Sequence, residues 1–144
     1  MGATRADDAR VPTVRIPHRP PMRFLAESCA RVGDWLLVAA SVPAGGPGAR
    51  ADGTVEPGYL IEVAAQAAAA WAGSAEEAGG DDARGGMLVA IKDWRWLAPA
   101  PVGASLAVRA RRAAVLGDLA QFECEIALAG APIAAGVLTV ARAP

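Results

Sequence analysis

One segment decides what this chain can fold into. Pro57 to Ser74 is rich in alanine, carries Leu60 and Gln66, and is apolar nearly all round. Alanine and leucine are strong helix formers, and proline suits a first helical turn, where its missing N–H costs nothing. A helix that is apolar on every side is buried rather than laid on a surface, so the rest of the chain must supply a wrapper. That remainder reads as strands. Arg23–Arg31 can be extended, Val32-Gly33-Asp34 carries turn chemistry, and Trp35–Val42 is apolar with aromatic and β-branched members. Together they predict a hairpin ahead of the helix. Behind it come Met87–Leu97, Ser105–Leu116, Leu119–Ala129 and Pro132–Arg142, divided by Pro99-Ala100-Pro101-Val102-Gly103, by Gly117-Asp118 and by Gly130. Turns at that spacing mark an antiparallel meander. The expected class is α+β, a long antiparallel sheet wrapped around one central helix.

Residues 43–56 and Gly79–Gly86 are read as loops, and residues 1–15, polar and aperiodic, as a flexible N-terminal arm ahead of a single domain at 16–144. A chain of 144 residues has room for one real core. At 53% hydrophobic it is not a disordered chain, and because much of that figure is alanine, the core is built from small side chains. A net charge of −1 gives no electrostatic reason for a nucleic acid or a charged membrane as partner. No run of about 18 apolar residues is present to span a bilayer. No apolar stretch follows a basic region at the N-terminus, so a cytoplasmic protein is expected. Cys29 and Cys124 match no zinc or redox spacing, and with a single histidine a metal site would need carboxylates alone. The expectation is two buried reduced thiols, no metal and no cofactor.

Glu62 is the sole acidic side chain between Gly58 and Ser74. Two readings are open: an exposed carboxylate favouring the helix dipole, or a buried one, which is expensive unless it is used. Gln66, at i+4, shares its face and can orient it. The Gly58 amide is read as an unpaired donor at the helix start. Period-two alternation over Met87–Leu97 places Trp94 and Trp96 on one face with Leu88, Ala90 and Lys92, where they would line an acyl tunnel or pack in a core or dimer contact. Arg109, Arg111 and Arg112 read as a solvated strand face.

Four segments resemble one family. Pro17-His18-Arg19-Pro20-Pro21-Met22 is similar to the Pro-His-Arg motif that opens FabZ-like 3-hydroxyacyl-[acyl carrier protein] dehydratases. Pro57-Gly58 followed by Glu62-Val63-Ala64-Ala65-Gln66 resembles the start and body of their central helix. Ala90-Ile91-Lys92-Asp93-Trp94-Arg95-Trp96, followed by Pro101-Val102-Gly103, resembles their strand and Pro-x-Gly turn. The resemblance covers residues 14 to 142 in order, and its closest flavour is the smaller dehydratases of lipid and aryl-polyene pathways. It implies the hotdog fold and a homodimer or larger even oligomer. It also implies an acyl thioester substrate on acyl carrier protein or coenzyme A. Glu62 and Gln66 would be catalytic, with Gly58, Tyr59, Trp94 and Trp96 binding substrate. His18 matches a structural position, so its expected role is to bond backbone groups around the proline turn. The alternative for His18 is the missing base.

One departure matters. The family carries a catalytic histidine in a Gly-His-Phe-Pro segment between the second strand and the helix, and residues 41–57 hold no histidine. Three functions follow. A dehydratase would have its base replaced, moved or supplied by another chain. A hotdog thioesterase would use Glu62 on water or directly. A degenerate subunit would bind acyl chains or pair with an active dehydratase.

Overall fold

Turn glycines divide the chain into the expected order of elements. The computed structural model describes residues 13–75 and 86–142. It runs β1 (Leu25–Val32), β2 (Trp35–Ala40), α1 (Pro57–Ala75), β3 (Gly86–Trp96), β4 (Leu106–Leu116), β5 (Leu119–Leu128) and β6 (Ala131–Arg142). The strands form one antiparallel sheet in the order β1-β2-β4-β5-β6-β3. The β5–β6 turn places Ala129 and Gly130 both at positive φ, the geometry whose twist matches a two-residue hairpin. This is the α+β arrangement that the helix and meander predict and the hotdog fold that the resemblance implies.

The helix is buried along the face that meets the sheet, while Ile61, Glu62, Ala65 and Ala69 stay partly exposed. Leu36, Val38 and Ala40 of β2, Leu106, Val108 and Ala110 of β4, and Phe122, Cys124 and Ile126 of β5 alternate inward. They share one core with Leu60, Val63, Ala64, Ala67 and Trp71 of α1. The alanines let the sheet approach the helix backbone closely. The Cys124 thiol reaches the Ala64 carbonyl itself, at 3.9 Å. Burial of each large core side chain, such as Leu36 or Leu138, contributes about 1.5–3 kcal/mol. At the far end of α1, the Trp71 indole donates to Asp34 O at 2.7 Å, pinning the helix to the β1–β2 turn. The guanidiniums of Arg31 and Arg112 stand over the Trp71 ring. Opposite the helix, Arg109 and Arg111 pair with Glu125 and Glu123 across the β4–β5 ladder and stand over Trp35.

Two expectations need correction. The arm expected over residues 1–15 ends earlier: Thr13 bridges Ser28, and Val14, buried, donates to Glu27 O at 2.9 Å, so residues 13–15 lie against β1. Residues 1–12 and most of the Gly79–Gly86 loop lie outside the described residues. Simple alternation also fails in β3. Leu88 and Ala90 face adjacent residues Val140 and Thr139, while Lys92 and Arg95 face Val137 and Ala135, two apart. Each irregularity is a bulge that reverses the phase of the strand, and Asp93, at φ 54°, sits in the second. Trp94 and Trp96 keep a common face but no longer share it with Lys92. β3 pairs only with β6, and from Gly86 to Trp96 every residue but the half-buried Trp94 is exposed.

Candidate active site

Three side chains meet where the proline-rich turn crosses the first half of α1. Gln66 is fully buried and clamps the turn. Its carbonyl accepts from Phe24 N at 2.9 Å, and its amide donates to Met22 O at 2.7 Å and to Glu62 Oε2 at 3.0 Å. Helical i, i+4 spacing makes the last contact possible. The first two need the turn, which Met22 N closes by donating to Arg19 O at 2.8 Å. That folding carries His18 over the helix, where its Nε2 stands 3.2 Å from Glu62 Oε2.

This geometry changes the reading of both partners. Glu62 is not an unpaired buried carboxylate. About a third of its side chain is exposed (33%), and Oε2 has two nitrogen partners. Burial cost alone therefore does not demand a role for it. His18, expected to bond backbone groups, meets Glu62 instead, and its Nδ1 is buried without a hydrogen-bond partner. A separation of 44 residues between them left no local signal in the sequence.

The other candidates are spread along the helix start and β3. Gly58, expected to offer an unpaired amide, donates to Glu56 Oε1 at 2.6 Å. Glu56 thus caps α1, and it also lies 3.6 Å from Arg50. Sequence reasoning passed over Glu56, although its place just before Pro57 was the available signal. Tyr59 packs edge-on against Phe24, with ring centroids 6.0 Å apart, and lies against Gly48, where an added Cβ would come within 2.6 Å of its ring. Trp96 donates from its indole to Pro57 O at 3.0 Å, which ties β3 to the helix start. Trp94 packs edge-on to Trp96 and over Gly136, and its indole nitrogen is buried without a partner. Neither tryptophan contacts Glu62 through a hydrogen bond.

The loop that lacks the family histidine is ordered by backbone bonds. Val55 N donates to Ala100 O, Val102 N to Gly53 O and Gly103 N to Val42 O. Within it, the Asp52 carboxyl is held below its usual range by hydrogen bonds from Thr54. Burial pushes the Cys29 thiol up, and it pushes the Cys124 thiol up to about 12, so neither is a poised nucleophile. No cluster of three or more potential metal ligands occurs among the described residues. No helix among them is long and apolar enough to cross a membrane. A groove of about 480 Å³ lies on the sheet between β1, β2, β4 and β5, lined by Ser28, Leu37, Ala39, Ala107 and Ala127 among others, and includes neither Glu62 nor His18.

The family model of ApeP-like proteins, described as the ApeP dehydratase, matches residues 12–144. The chain belongs to this family. The finding supports a dehydratase-like protein of hotdog fold. Among solved structures, the chain is similar to the dehydratase heterocomplex ApeI:P from Xenorhabdus doucetiae. That match has 25% identity over 94% of this chain and 93% of the other, with a TM-score of 0.81. It shares its fold with a hypothetical thioesterase bound to coenzyme A from Streptococcus pneumoniae (13% identity, 81% and 84% covered, TM-score 0.63). It also shares it with the phenylacetic acid degradation protein PaaI from Thermus thermophilus, in a mutant form (20% identity, 81% and 92% covered, TM-score 0.56). No curated protein matches the chain.

Proposed function

We propose that this chain is a subunit of a 3-hydroxyacyl thioester dehydratase of the aryl-polyene type, with Glu62 as its acid–base carboxylate. The observation that carries the reading is the state of Glu62. In a chain of this family, a helix carboxylate is held by two nitrogen groups at one oxygen and remains partly open to solvent. Dehydration removes a proton from the α-carbon to a base, forms the carbon–carbon double bond and expels the hydroxyl, which leaves as water after taking a proton from an acid. Glu62 suits the second transfer. Charge that builds on the thioester oxygen needs N–H donors. The Gly58 amide serves as one only if the Glu56 cap yields it.

The base comes from a second subunit in this reading. The single imidazole of the chain is engaged with Glu62, and its other nitrogen is buried. A second copy of the chain would bring the same deficit, so a different hotdog subunit that carries the loop histidine suits the chemistry better than the homodimer first expected. The related structure is itself a heterocomplex. The exposed β3, with Met87, Val89 and Ile91 on a free sheet edge, is the surface offered to such a subunit.

The test follows 3-hydroxyacyl and acyl thioesters of several chain lengths, with this chain alone and mixed with a histidine-bearing hotdog dehydratase subunit. Enoyl product from the mixture, reduced at least about a hundredfold by Glu62→Gln, is the expected result, because that change keeps the shape and removes the proton transfer. Free thiol in place of enoyl product would make the chain a thioesterase. Full turnover by Glu62→Gln would remove Glu62 from the site.

A further inference from the structure

We propose that His18 is a positioning residue that, with Gln66, fixes the position of the Glu62 oxygen that reacts. The inference rests on the reading of Glu62 given above. Both nitrogen contacts converge on Oε2, His18 Nε2 at 3.2 Å and Gln66 Nε2 at 3.0 Å. Oε1 has no hydrogen bond or ion pair among the described residues. Whichever oxygen occupies the Oε2 position takes both contacts, so the group presents its other oxygen, at the Oε1 position, to a ligand. A proton that the carboxyl carries or receives therefore sits on Oε1, since Oε2 already accepts from Gln66 and stands against His18 Nε2.

The imidazole is fixed in turn. With Nε2 3.2 Å from the carboxylate, a neutral ring carries its proton on that nitrogen and leaves Nδ1 bare. Nδ1 is buried without a partner. The other tautomer would bury an unpaired N–H and set the bare Nε2 against the carboxylate, so the surroundings select the first. The same burial denies substrate access to Nδ1. His18 thus acts through Glu62 and is not itself the base. The proline turn is then anchored twice on the helix, by Gln66 through Met22 O and Phe24 N and by His18 through Glu62. This gives the opening motif a task at the site beyond its role in the fold.

The chain has one histidine, so tag-free protein labelled with ¹⁵N gives a single set of ring-nitrogen signals. A pyrrole-type Nε2 and a pyridine-type Nδ1 are expected, with the Nε2–H signal moving on Glu62→Gln. A proton on Nδ1, or a signal indifferent to Glu62→Gln, overturns the proposal. The second arm compares His18→Gln, whose side-chain amide can place a donor near the imidazole Nε2 position, with His18→Leu. His18→Leu should lower kcat by about tenfold or more with KM little changed, whereas His18→Gln should stay within a few-fold of wild type. Wild-type kcat in His18→Leu, or equal loss in both variants, overturns it. A wild-type complex that turns over no thioester refutes the functional reading instead, and the NMR arm still decides whether Glu62 sets the tautomer.

Discussion

Gln66→Leu tests what ties the proline-rich turn to the helix. Leucine keeps most of the volume of glutamine but offers no donor or acceptor. Phe24 is buried, so its N–H loses its partner outright, and leaving such a group orphaned costs about 1–3 kcal/mol. The amide bonds to Met22 O and Glu62 Oε2 lie in part-buried surroundings that water can reach, and each loss costs about 0.5–1.5 kcal/mol. Burying leucine instead of a polar amide returns part of this, so a net loss of about 2–4 kcal/mol is expected. Unfolding entropy near 2.1 cal/mol/K per residue gives roughly 0.3 kcal/mol/K for a chain of 144 residues, so 3 kcal/mol lowers Tm by about 10 °C. Urea denaturation should show a lower midpoint at unchanged slope, and calorimetry the matching fall in Tm. A loss below about 1 kcal/mol would refute the claim that this amide carries the turn, because a single orphaned buried N–H already costs that much.

Two further outcomes follow from the packing. At Gly136 an added Cβ would stand 2.8 Å from the Trp94 Cα, a backbone atom that cannot yield alone. Gly136→Ala should therefore cost about 1–3 kcal/mol and speed hydrogen exchange in β3 more than in β4 or β5; uniform exchange rates would contradict this. Burial raises the Cys124 thiol from near 9 to about 12, so the fold favours the neutral thiol. Its contribution is fully present below pH 9 and is lost as pH rises toward 12. The unfolding free energy of wild type relative to Cys124→Ala should thus fall by about 2 kcal/mol between pH 8 and 10.5. A pH-independent difference would show that the thiol is not desolvated.

The fold was legible because its strongest signal is also its physical cause. A helix apolar on all sides has to be enclosed, and turn residues at Gly33, Gly117 and Gly130 divide the remaining chain into strands that can enclose it. The phase of β3 was not legible. Alternation predicts faces only while pairing is regular, and a bulge is decided by the partner strand: here Trp94 settles over Gly136, a contact between residues 42 positions apart in the sequence. Asp93, tolerant of left-handed backbone, was the one local hint, and it carries little weight without knowledge of β6.

The site divides along the same line. Gln66 beside Glu62 follows from helical spacing, so that contact is legible in the sequence alone. The surroundings that decide what Glu62 can do arrive from elsewhere in the chain. His18 reaches it only because Gln66 also holds the turn that bears His18, so one buried amide builds both sides of the arrangement. Burial cost misled for the same reason: a carboxylate judged against its own helix looks unpaired, although its second nitrogen partner lies on a distant segment. The Gly58 amide misled in the opposite direction. Counting unpaired donors at a helix start ignores the residue just before it, and Glu56, a poor cap by type, fills that place because its longer side chain can fold back to the amide two residues on.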